Sequence, residues 1–236
     1  MEQYKSEFER LVEEGKIEAI DGLEGKPIEK FAAMYDAEAE SYEADAYGEK
    51  INYALPETML RFFQNHDVKS GTVLDLGCGP GVVGNALQKI EGANFELTGV
   101  DISPGMAQQA IKAGYEKVIL GRIEEAVEQE GSYDHIVSLS ALYYVSKEDI
   151  EKVILSILAK AKKTATLSFE EITKEFSETV RQVVGDIPLE SHVGALKELN
   201  LPKGWSVVED VMQGAWTSPR VGQRINAEMV MLKKAE

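Results

Sequence analysis

From residue 72 onward, short apolar runs alternate with longer stretches whose apolar residues recur every three or four positions. "TVLDLG" (72–77), "FELTGVD" (95–101), "KVIL" (117–120), "YDHIVSLSA" (133–141) and "TATLSFEE" (164–171) read as strands, being rich in aliphatic and β-branched residues and too short for helices. Between them, 81–89, 103–114, 122–130, 147–161 and 173–184 read as helices. In the fourth of these, Ile150, Val153, Ile154, Ile157 and Leu158 fall on one stripe. The second opens with Ser103 as N-cap and Pro104 at the first turn, and closes at Gly114.

Alternation of this kind predicts right-handed βαβ crossovers and a parallel sheet covered on both faces. The C-terminal pattern is different. "WSVVEDVMQGAW" (205–216) and "QRINAEMVMLKK" (223–234) are separated only by "TSPRVG", too short for a helix, so they predict an antiparallel pair. The first 70 residues carry helical patterns at 2–14, 28–46 and 53–65, interrupted by Gly22, Gly25, Pro27 and Gly48. The expectation is therefore an α/β fold in a single domain spanning 1–236. A helical cap (1–68) precedes a core (69–236) with a mostly parallel seven-stranded sheet, helices on both faces and an antiparallel C-terminal hairpin.

Charge narrows the partners. With 25 Lys and Arg against 41 Asp and Glu, the formal net charge is −16, which repels phosphate backbones and anionic lipid. Nucleic acid and membrane are thus disfavoured, and a small molecule is the expected partner. The single cysteine, Cys78, fits a reducing compartment, and one Cys with three scattered His makes no metal-ligand spacing. The start, "MEQYKSEFER", has no apolar h-region, and no apolar run approaches the ~20 residues of a membrane span. A cytoplasmic protein is expected.

The chemistry concentrates at "TVLDLGCGPGVVGNAL" (72–87). A strand there runs into Gly77, Gly79, Gly81 and Gly84 and then into a helix. Glycines admit positive φ and close approach, and a following helix offers free N–H groups, so the corner suits a nucleotide-like ligand. Gly79 to Gly84 is formally a G-x-G-x-x-G with Asp101 22 residues on, the spacing of a dinucleotide site. That reading leaves open an NAD(P)-dependent oxidoreductase. Against it, Gly77-Cys78 intervene after the strand, and an acid, Asp75, lies inside the strand.

As a whole, "VLDLGCGPG" resembles the signature loop of class I S-adenosylmethionine-dependent methyltransferases. "LTGVDISPGM" (97–106), "GRIEEA" (121–126) and "YDHIVSLSALYYV" (133–145) resemble that family's next segments, and "YDAEAESYEADAY" (35–47) resembles the cap of its small-molecule members. The resemblance implies S-adenosyl-L-methionine as cofactor and methyl transfer to O, N or S of a small molecule. It implies that Asp101 accepts the ribose hydroxyls and that Gly77, Gly79 and Gly81 meet the amino-acid tail and sulfonium. Asp75 would anchor the loop. Ile102, Met106, Ile123 and Leu139 would form the adenine slot, with Tyr35 and Tyr42 at its entrance. Many members place an acid where Arg122 stands; arginine cannot accept from the adenine amino group, so that role falls to Glu124 or to backbone.

Where relatives often hold a histidine, this chain has Tyr143-Tyr144. A tyrosine with pKa near 10 is a weak base at neutral pH but a good aromatic wall for a cation. Without a base, a non-catalytic binding module is a further alternative. Of the histidines, His66 reads as a surface residue and His135 as a structural one, which leaves His192 as the candidate general base. Glu170 and Glu171 end the fifth strand at the same rim.

Overall fold

The computed structural model describes residues 7–20, 28–39, 51–184, 187–218 and 222–235. Eight strands form one sheet: β1 (Ile17–Ala19), β2 (Ser70–Leu76), β3 (Asn94–Asp101), β4 (Lys117–Leu120), β5 (Tyr133–Ser138), β6 (Ala161–Glu170), β7 (Trp205–Thr217) and β8 (Arg224–Lys234). Their order is β1-β4-β3-β2-β5-β6-β8-β7. The first six in this order run parallel to one another. β8 inserts antiparallel between β6 and β7, as the missing crossover helix requires.

Strand alternation sorts the core into two layers. Val73, Val118 and Val137 face the helices Leu55–Asn65, Val82–Leu87 and Pro104–Lys112, while Leu74, Leu76, Ile119 and Ile136 face Ile123–Gln129 and Ile150–Lys160. The stripe read on the Ile150 helix is buried throughout. Ser103 caps its helix as expected, its Oγ accepting from the Met106 N–H at 3.0 Å.

The seven expected strands are present, and an eighth adds to them. The segment read as a wholly helical cap contains β1, paired in parallel with β4 from Ile17↔Val118 to Ala19↔Leu120. Three residues, "IEA", carry too little alternation to announce a strand; the open edge of β4 recruits them. The helices expected at 2–14, 28–46 and 53–65 are described at Glu7–Glu13, Ile28–Glu38 and Leu55–Asn65. Two side chains dock the second of these on the core. Asp36 Oδ1 accepts from Ser103 Oγ at 2.5 Å and from the Gly105 N–H at 2.8 Å, and the Tyr35 and Tyr144 hydroxyls are 2.8 Å apart.

Candidate active site

The carboxyl ends of β2, β3, β4 and β5 and the helix Ile28–Glu38 enclose a cavity of about 260 Å³. A cleft outside the strand carboxyl ends is where open α/β sheets bind ligands. Its floor is the turn after β2. Gly77 (φ 77°) and Cys78 both donate their N–H groups to the Val100 carbonyl, at 2.8 and 2.9 Å. A Cβ on Gly77 would stand 2.3 Å from that of Ala141, so the turn and the β5 exit are in contact. Gly79 (φ 52°) differs: no described residue lies within 4 Å of where its Cβ would be, and it opens on the cavity.

Asp101 ends β3 on the cavity wall. Its Oδ2 accepts the Gly79 N–H at 2.8 Å and its Oδ1 the Ser103 N–H at 2.9 Å. Burial lifts this carboxyl to about 6 against those donors, and the charge of Asp36 adds to the rise. Each oxygen keeps a further lone pair, so the group can still accept two hydroxyls.

Beneath the loop, Asp75 is sealed from solvent. Its Oδ2 accepts from the Tyr115 hydroxyl at 2.6 Å, and that oxygen in turn accepts the Gly84 N–H at 3.1 Å. Its Oδ1 has no partner among the described residues. Burial raises the Asp75 pKa to about 7, Tyr115 opposes the rise and the Asp101 charge adds to it. An acid raised in the folded state binds protons that the unfolded chain does not. Its contribution therefore falls as pH climbs from about 4 to about 7. The buried His135 and His192 have lowered values and act in the opposite sense near their ordinary 6.5, so Asp75 is isolated by difference. Asp75→Asn, which mimics the protonated acid, is expected to come closest to wild type in urea unfolding below about pH 4 and to exceed it by on the order of a few kcal/mol at pH 8. Equal stability at pH 8 would refute the inference.

The expected site residues separate into groups. Tyr35, Gly77, Gly79, Asp101, Ile102, Met106, Ile123, Glu124, Leu139 and Tyr144 line the cavity together. Gly81 packs elsewhere, where a Cβ would meet that of Ala113 at 2.6 Å, and Asp75 supports from below. Glu124 is held by Arg122, 2.6 Å from guanidinium to carboxylate. Tyr143 lies behind Tyr144, donating to its hydroxyl at 3.1 Å and packing with Phe176 and Ile225. Tyr42 lies outside the described residues.

The histidines divide in the same way. His135 is a core residue, with Nδ1 2.7 Å from Thr164 Oγ1 and Nε2 3.2 Å from the Ser70 carbonyl. His66 pairs with Glu209 near the surface. His192 is buried, and its Nε2 donates to the Val145 carbonyl at 2.9 Å. That nitrogen is occupied as a donor and its ring is not part of the cavity lining. The ring ties down the turn that carries Val145.

Ser140 escaped the sequence reading. It follows β5 in "SLSA", lines the cavity and has φ 54°, a conformation that costs a non-glycine residue energy and is concentrated at functional sites. Its only sequence signal was its place at the exit of a central strand.

Comparison with known proteins is consistent with this geometry. Residues 73–164 match the family described as "Methyltransferase domain". The magnesium protoporphyrin IX methyltransferase of Synechocystis PCC 6803, solved with bound S-adenosylmethionine, superposes with TM-score 0.60 at 15% identity, over 91% of this chain and 100% of that one. The 1,6-didemethyltoxoflavin-N1-methyltransferase of Burkholderia thailandensis, with bound 1,6-didemethyltoxoflavin and S-adenosylhomocysteine, gives TM-score 0.55 at 18% identity over 92% of this chain and 94% of that one. A TehB-like S-adenosylmethionine-dependent methyltransferase from Corynebacterium glutamicum gives 0.52 at 17% identity over 86% and 99%. No protein of curated function matches the chain in sequence.

Proposed function

We propose that this chain is a class I S-adenosylmethionine-dependent methyltransferase that methylates O, N or S of a small molecule bound above the turn at Gly77–Gly81. The observation that carries this reading is the juxtaposition of Asp101 with Gly79. A two-acceptor carboxylate stands at a strand end, joined by a hydrogen bond to a glycine whose side-chain space no described residue fills.

These residues suit an adenosyl sulfonium. Asp101 would take the ribose hydroxyls, the backbone at Gly77 and Gly79 would meet the amino-acid tail, and Ile102, Met106, Ile123 and Leu139 would enclose the adenine. When bound, the cofactor supplies an electrophilic methyl group. The chain's own contribution is chiefly to position, since in-line displacement gains most from a fixed approach. Tyr35 and Tyr144, joined through their hydroxyls, wall the cavity and present aromatic surface to a cation. A small-molecule acceptor agrees with the enclosed volume and the net charge of −16.

The G-x-G-x-x-G spacing has another explanation. Gly84, its last member, packs on the Tyr115 ring, where a Cβ would meet Cε2 at 2.7 Å, so the spacing serves helix packing. In thermal unfolding, S-adenosylhomocysteine at 100 times its Kd is expected to stabilise the protein by about 2.7 kcal/mol, with NAD giving no shift. The reverse pattern refutes the proposal.

A further inference from the structure

Building on the methyl-transfer reading, we propose that Ser140 is the cavity's hydrogen-bond acceptor for the methyl acceptor molecule. Glu170 positions it, and together they select an aromatic molecule bearing an O–H or N–H group. Ser140 lines the cavity, and its Oγ–H donates to Glu170 Oε1 at 3.0 Å. With that hydrogen committed, the serine oxygen can only accept from a ligand. Ser168 fixes the arrangement: its Oγ accepts the Ser140 N–H at 2.8 Å and donates to the same Glu170 oxygen at 2.7 Å. The backbone at Ser140 is held in a left-handed conformation to make this possible.

Glu170 itself has no structural reason to be an acid. It is fully buried at the end of β6, and Oε2 has no partner among the described residues. The titratable groups on the surrounding elements are engaged elsewhere: Glu228 with the Gly194 N–H and Lys197, His192 with the Val145 carbonyl, Glu171 with Asn226. A buried carboxyl without a cation is costly to ionise, so its charge is useful only where a proton must be received. Burial raises its pKa, and the Ser168 and Ser140 hydroxyls oppose the rise. As the acceptor atom gives up its proton to Ser140 Oγ, the serine's own proton passes to Glu170 Oε1. The serine is regenerated, the carboxylate becomes a carboxylic acid, and the negative charge moves to the substrate atom. The aromatic walls Tyr35, Tyr53 and Tyr144 favour a flat apolar body beside that polar point.

The test uses matched probes that differ in one donor: phenol against anisole, and indole against 1-methylindole. Each is titrated into the full chain saturated with S-adenosylhomocysteine and followed by NMR. Wild type is expected to bind the donor-bearing member at least tenfold more tightly. Ser140→Gly, which relieves the backbone conformation and so is expected to fold, should erase that preference; Ser140→Ala is the second variant. As pH falls and Glu170 becomes protonated, its acid hydrogen can occupy the serine oxygen, so the preference should shrink in wild type. It should be independent of pH in Glu170→Gln, an effect that a purely structural role would not produce. Equal affinity within each pair in wild type, no measurable binding of either member, or a preference retained in both Ser140 variants overturns the inference. Failure to bind S-adenosylhomocysteine instead refutes the methyl-transfer reading, while the probe pairs can still be compared on the free protein.

Discussion

Replacing Asp101 by alanine is expected to weaken S-adenosylhomocysteine binding at least a hundredfold, or about 2.7 kcal/mol, measured by calorimetry. The ribose diol would lose two hydrogen bonds to a charged acceptor, each of about 1.5–3 kcal/mol. The carboxylate also organises the loop, because it accepts the N–H groups of Gly79 and Ser103. Asp101→Asn separates these contributions. It keeps one oxygen for the backbone and loses the charge, so it should bind with intermediate affinity. An Asp101→Ala protein that binds within threefold of wild type would remove this residue from the site and the proposed function with it.

The second large effect is expected at Gly77. Alanine there would place its Cβ 2.3 Å from that of Ala141, far inside van der Waals contact, at φ 77°. The backbone conformation alone costs about 1–2 kcal/mol, and forcing the β2 turn from the β5 exit adds about 1–3 kcal/mol. Urea unfolding should show a loss of about 2–5 kcal/mol, the sum of those terms. Adding Ala141→Gly removes the clashing methyl but not the conformational cost, so the double variant should regain only part of the loss. Full recovery would mean that φ carries no penalty, and no recovery would place the strain elsewhere.

The sheet and the glycine-rich turn after β2 were legible because local pattern and tertiary demand agree there. Val73-Leu74-Asp75-Leu76 is an apolar run buried on both faces, and the glycines that end it stand where chain meets chain or where space is left open. The position of Asp101 was legible for the same reason: it ends β3 on the cavity wall beside that loop. Long-range pairings were not legible. Tyr115 reaches Asp75 across 40 residues of chain, and Glu170 reaches Ser140 across 30. Neither carries a local signature. His192 illustrates the converse: its position in a loop suggested access to substrate, but burial turned its ring toward a backbone carbonyl. Chemistry that depends on which side chains fold against one another becomes visible only in three dimensions.

The short pairing of β1 with β4 bears on where this domain can be cut. Lys16 and Ile20 backbone groups bond to Val118 and Leu120, and the Ile20 side chain covers Gly121 on the cavity wall. A fragment trimmed to the matched residues 73–164, or merely begun after Ile20, would leave β4 as a bare edge. Exposed strands of that kind invite edge-to-edge association between molecules. The amino-terminal residues thus act as a selvedge, finishing a margin that would otherwise unravel into aggregates, and they belong to the folding unit although the family match at 73–164 does not extend over them.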